Sequence, residues 1–146
     1  MSYTIQEIED ALVAAMQTDD GVSGACKTLE SYSGDAADLV GQIEQLTVPL
    51  PAVWAVYNGS AFNESASNSF DDEMKFVLLV AAKDLRGRVA AAQGVYEILE
   101  SLKTLFIGKN LGLDINPLRP ISIDPVVVTN RLAIYGFILR TYFSMD

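Results

Sequence analysis

The stretch Glu73-Met74-Lys75-Phe76-Val77-Leu78-Leu79-Val80-Ala81-Ala82-Lys83, running on through a long helical pattern to Gly108, decides the fold. Its apolar run Phe76 to Ala82 has the length of a strand and falls far short of the ~20 residues that span a bilayer. A charged turn follows, Lys83-Asp84-Leu85-Arg86-Gly87-Arg88, and then the longest helical pattern in the chain, Val89 to Ile107. Within it Val95, Leu99, Leu102 and Phe106 recur at helical spacing and fall on one face. Tyr96 and Leu105 are expected to widen that stripe, and Gly108 is placed where a left-handed C-terminal cap belongs. The stretch therefore predicts a buried central strand and the helix that covers it.

Toward the N-terminus, Thr4 and Glu7 form a capping box for a first helix with Ile5, Ile8, Leu12 and Met16 on one face, ending at Asp19-Asp20-Gly21. Lys27 to Ser33 alternates as a half-buried strand near an edge. Gly34-Asp35 opens a second helix with Leu39, Ile43 and Leu46 as its apolar face, stopped by Pro49 and Pro51. Ala52 to Tyr57 is strand-like, and Asn58-Gly59 is a turn signal. Ser60 to Asp72, rich in Ser and Asn, reads as an exposed loop joining two antiparallel strands. Its length marks it as functional or mobile.

Beyond the long helix, Asn110 to Pro120 is a connector. Ile121 to Thr129 is a strand interrupted by Pro125, hence edge or bulged. Arg131 to Phe143 has two largely apolar rows, as a strand covered on both faces requires. The order α-β-α-β-β-α-β-β predicts one α+β domain over residues 1–146. Its sheet is mixed, mostly antiparallel, with four to five strands packed by two or three helices.

A chain of 146 residues hides roughly 70% of its unfolded surface and builds a core without staples. The net charge of −9 argues against a nucleic-acid grip, which needs clustered Lys and Arg. There is one cysteine, Cys26, and no histidine, so an intramolecular disulfide is excluded and the usual metal ligand and general base are missing. The N-terminus lacks the regions of a signal peptide, and the chain reads as cytoplasmic and soluble.

Catalytic chemistry finds no constellation here. A Ser or Cys nucleophile without histidine needs a lysine or carboxylate base, and no spacing suggests one. Asp71-Asp72-Glu73 could hold a divalent cation, but the calcium-loop pattern is absent and a solvated charge run at a strand start is the simpler reading. Arg86-Gly87-Arg88 precedes a helix, yet the phosphate-loop pattern is missing, so a turn or a salt bridge to a neighbouring chain is preferred. Cys26 reads as a small core residue, and Trp54 and Tyr57 as core or interface. The expectation is a non-enzyme without metal or cofactor.

The segments Thr28-Leu29-Glu30-Ser31-Tyr32-Ser33-Gly34, Pro51 to Gly59, Val80 to Gly87, Gly94 to Leu99 and Leu111 to Pro120, taken in succession, resemble the tail terminator family of Mu-like, contractile-tailed phages and prophages. The resemblance covers nearly the whole chain in the same order, apart from Ser60 to Asp72. It implies a virion protein that forms a homohexameric ring capping the finished tail. Such a ring ends tube polymerisation and offers the head its docking surface at the neck. The implied partners are tail tube and sheath proteins, head–tail connector and neck proteins, and DNA that slides through without specific binding. Membrane contact is not implied, and the protein would reside in the host cytoplasm during assembly. Arg86 and Arg88 become candidates for the subunit boundary. Phe62, Asn63, Glu64, Asn68 and Phe70 become candidates for a ring face or channel loop. The alternative is a small dimeric ligand-binding or regulatory domain with Trp54 and Tyr57 lining a pocket.

Overall fold

A computed structural model describes residues 3–45, 49–66, 69–83 and 87–145. Five strands form one sheet in the order β1-β2-β3-β5-β4, with β1 spanning Thr28–Tyr32, β2 Ala52–Ala66, β3 Ser69–Lys83, β4 Arg119–Val128 and β5 Leu132–Met145. Only β1 and β2 run parallel; the other three pairings are antiparallel. β3 is central, as the run Phe76–Ala82 requires, because a strand apolar in both rows needs cover on both faces.

The cover is unequal. One face carries α1 (Ile5–Thr18), α2 (Asp20–Ala25) and α4 (Arg88–Phe106), whose Ile8, Leu12, Met16, Val22, Val95, Leu102 and Phe106 are wholly buried with Val53, Phe76, Leu78 and Phe137. Among the described residues the other face carries only α3 (Ala36–Glu44), where Leu39 and Ile43 close over Trp54, Val56, Leu79 and Ile134. α1 lies over β1 and β2, and α4 over β3 and β5, so neither covers β4.

The local signals explain the elements. Thr4 caps α1 by accepting from the Glu7 amide at 3.1 Å. Asp35 caps α3, and Leu46 lies outside the described residues. β4 is an edge strand with bulges beside Pro120 and Pro125, the two outcomes a proline inside a strand allows. The α+β order holds, with one helix added: α1 ends at Asp19 as expected, but that side chain also accepts from the Val22 amide and starts α2.

Two details differ from expectation. Gly108 does take a left-handed φ of 78°, but its N–H reaches the Leu118 carbonyl at 2.9 Å, tying the connector down rather than capping the helix. Tyr96 is 49% exposed and does not widen the buried stripe. It lies on the outer side of α4, edge-on to Tyr135 with ring centroids 5.7 Å apart.

Candidate functional site

The described residues of Ser60 to Asp72 are strand rather than loop. β2 continues to Ala66 and β3 begins at Ser69, so they build the far half of a long hairpin. The Asn58-Gly59 signal is real but marks a bulge rather than a turn. Tyr57 pairs with Phe76 and Ser60 with Met74, leaving Asn58 and Gly59 opposite Lys75 alone, with Gly59 at φ 100°.

That extra residue exchanges the two faces of β2. Before the bulge Val53 and Ala55 point toward α1 and α4; beyond it Ser60, Phe62 and Glu64 take that side, opposite Met74, Asp72 and Phe70. Phe62 and Phe70 are diagonal neighbours on this face. They are 62% and 47% exposed, because the cover ends where Tyr3 stacks edge-on against Phe143 at 5.8 Å. The opposite face of the same half is polar. Glu73 receives Asn63 Nδ2 and Arg140 Nη1, each at 3.3 Å. Thus Phe62, Asn63, Glu64 and Phe70 do share the projecting hairpin, though on strands and on two faces; Asn68 lies outside the described residues.

At the root of this hairpin sits a polar chain of half-buried Tyr57 and Ser60 and buried Asp72. The Tyr57 hydroxyl bonds Ser60 Oγ, and Ser60 in turn bonds the Asp72 carboxylate. Among the described residues Asp72 Oδ1 has no hydrogen-bond partner, and burial raises the acid's pKa against the opposing Ser60 bond. Nearby Glu9 is also buried with a raised pKa, from burial first and the Asp10 charge second, opposed by a main-chain hydrogen bond from Tyr57. Asp72 is therefore not part of a solvated charge run. Strand alternation sends Asp71 and Glu73 to the other face, which separates the three acids. Among the described residues no group of three or more Asp, Glu or Cys side chains could hold a metal ion.

The remaining candidates are placed as follows. Cys26 packs against the core and burial pushes its thiol up to about 11, far from a nucleophile's range. Trp54 is buried under α3 and donates to Glu30 Oε1 at 3.2 Å, whereas Tyr57, three residues along the strand, faces α1 and packs on Phe76. They lie on opposite sides of the sheet, so they do not line one pocket together. Arg86 lies outside the described residues; Arg88 begins α4. Among the described residues no helix is long and apolar enough to cross a membrane.

Two features escaped sequence reasoning. β4 exposes Ile121, Ile123, Val126 and Val128, and an open groove of about 300 Å³ runs between it and α4, lined by Val89, Tyr96, Val128 and Tyr135. The available signal was the row of branched residues in a strand already read as an edge.

The family described as Bacteriophage Mu, Gp37 matches residues 4–144. The chain belongs to that family. The match spans the hairpin as well as the segments quoted above, so Ser60 to Asp72 lies within the family region. A chain of the virion of a native gene transfer agent particle has the same fold, with a TM-score of 0.65 at 12% identity over 99% of this chain and 100% of that one. No curated protein matches the chain.

Proposed function

We propose that this protein is a structural component of a phage virion, a tail terminator whose copies form a ring on the finished tail tube. The observation that carries this reading is the family match over residues 4–144, a phage family, joined by a fold shared with a chain of the gene transfer agent virion. The ring would stop tube and sheath growth and offer its outer face to the neck proteins of the head.

The physical mechanism is templated growth ended by a mismatched face. Tube subunits add because each ring exposes strands and loops that fit the next. A terminator needs one face that fits and another that does not. The far half of the β2–β3 hairpin suits the fitting face, because Phe62 and Phe70 are large, apolar and held in register by the ladder. Arg86 and Arg88 would sit at the subunit boundary against acids of the neighbour. The chain's −9 charge would let DNA pass the channel without adhering.

The test is the mass of the purified protein by light scattering, with negative-stain images taken with and without tail tubes. Rings, free or seated on tube ends, are expected. A monomer or dimer that never decorates a tube end would overturn the proposal.

A further inference from the structure

We infer that the β4 edge of one copy docks against the β1 edge of the next, head to tail, and that this contact repeats around the ring. The inference rests on the ring reading above and names the surface and the partner, a second copy of the same chain.

Charge is the first support. The segment up to Glu44, which builds α1, α2, β1 and α3, holds nine carboxylates against the single Lys27, a net of −8 out of the chain's −9. Glu30, Asp38, Glu44, Glu7 and Asp10 are all exposed around β1. At the other end of the sheet, β4, β5 and their turn carry Arg119, Arg131 and Arg140 against Asp124 alone. Arg119 and Arg131 are exposed, while Arg140 is engaged with Glu73. Pairing two β4 edges would oppose arginines, and pairing two β1 edges would oppose carboxylates. Only the mixed pairing is complementary.

Shape and polarity are the second. β4 shows four exposed branched side chains, 37–47% accessible, with Ile123 and Val128 on the side that α4 leaves open and Val126 on the other face, beside Val77. β1 bonds a strand on one side only, and its edge runs between two open hollows. One, of about 330 Å³, is lined by Ile5, Gln6, Glu9, Tyr32 and Tyr57; the other, of about 390 Å³, is mostly polar, with Gln17, Lys27, Thr28 and Glu30 beside Cys26 and Leu29. The first can receive a branched side chain of β4, and the second its polar neighbours.

The prolines decide the mode of contact. Pro120 and Pro125 lack N–H groups and lie beside the bulges, so β4 cannot extend a regular ladder onto a neighbour. Side chains therefore carry the contact. That also guards the edge against indiscriminate strand addition. Because the two surfaces differ, the contact is heterologous, and a heterologous contact either closes into a ring or grows without end.

Cross-linking tests this. In a Cys26→Ser background, cysteines are introduced singly and together at Ile123 on β4 and at Ser33, just past β1. Both sites are exposed. The proteins are treated with a short bismaleimide under conditions where light scattering reports rings. The double variant should give a ladder of covalent multimers and each single variant only monomer. In parallel, Arg119→Glu with Arg131→Glu should raise the concentration for half-assembly at least tenfold. Dimers from Ile123→Cys alone, or rings that yield no ladder, would overturn the edge pairing while leaving the ring intact. Absence of rings, free or on tails, would remove the ring reading and this contact with it.

Discussion

Among the described residues Asp72 carries a buried oxygen without a hydrogen-bond partner, and its chemistry sets a measurable pH response. Its carboxylate is buried, one oxygen lacks a partner, and its folded pKa lies above the ordinary carboxylate value, as does that of Glu9. A raised pKa means that the folded state binds the proton more tightly than the unfolded chain. The resulting stabilisation is complete below the ordinary value and disappears as pH rises through the folded one. These two groups therefore make the protein more stable as pH falls from neutral into the mildly acidic range. Asp72→Asn should raise the neutral-pH Tm and flatten the slope of Tm against pH. An unchanged slope in that variant would show that Asp72 is solvated. The core residues follow ordinary packing rules: Leu102 is wholly buried between α4 and the sheet, and Leu102→Ala should cost about 2–5 kcal/mol by denaturant unfolding.

At the scale of elements, the projecting hairpin depends on one backbone conformation. Gly59 sits at φ 100° in the bulge that swaps the faces of β2, with open space where a Cβ would stand. Gly59→Ala is thus strained by backbone rather than by contact, and should cost about 1–2 kcal/mol in unfolding free energy. A cost below about 0.3 kcal/mol would remove the bulge as a constraint. The hairpin was illegible in sequence for a related reason. Ser60 to Asp72 is held by ladder hydrogen bonds and cross-strand partners such as Asn63 and Glu73, not by burial of an alternating apolar row. The bulge also breaks the period of two that a strand normally shows. β3, α1 and α4 were legible because their apolar rows match one period throughout, and even the Pro125 irregularity in β4 followed from the missing N–H. α2 was not, since Gly21 and Gly24 in six residues argue against a helix and the double use of Asp19 decides otherwise. The hairpin also changes how its role is tested. Removing Ala61 to Ser69 would cut paired strands, so the cleaner variant is Phe62→Ser with Phe70→Ser. Both side chains are exposed, and stability should stay within about 0.5 kcal/mol. Tail joining, read as tube ends capped in negative stain, should be lost. Normal capping would exclude the aromatic pair from the tube contact.

At the scale of the molecule, the charge distribution links three separate features. The β1 end is acidic, the β4 end is cationic, and the N-terminus of α4 lies at the cationic end, where a Cβ on Gly87 would meet the Asn130 carbonyl oxygen at 3.9 Å. Arg88 opens α4 beside the groove that borders β4, and Arg86 precedes it by two residues in the chain. If copies meet head to tail, the acids around one β1 edge would approach the neighbour's arginines, including Arg119 and Arg131. Exposed pairs of this kind contribute about 0.2–1 kcal/mol each and are screened over roughly 8–10 Å at physiological salt. A ring closes through several identical contacts, so small terms repeat at every boundary. Arg86→Ala with Arg88→Ala should therefore raise the concentration for half-assembly several-fold at low salt and bring the variant and the parent closer together at high salt. Light scattering across a salt series reads both. Equal midpoints at low salt would take these two arginines out of the boundary and leave Arg119 and Arg131 as its cations. A deficit that persists undiminished at high salt would mean that the arginines act there by packing rather than by charge.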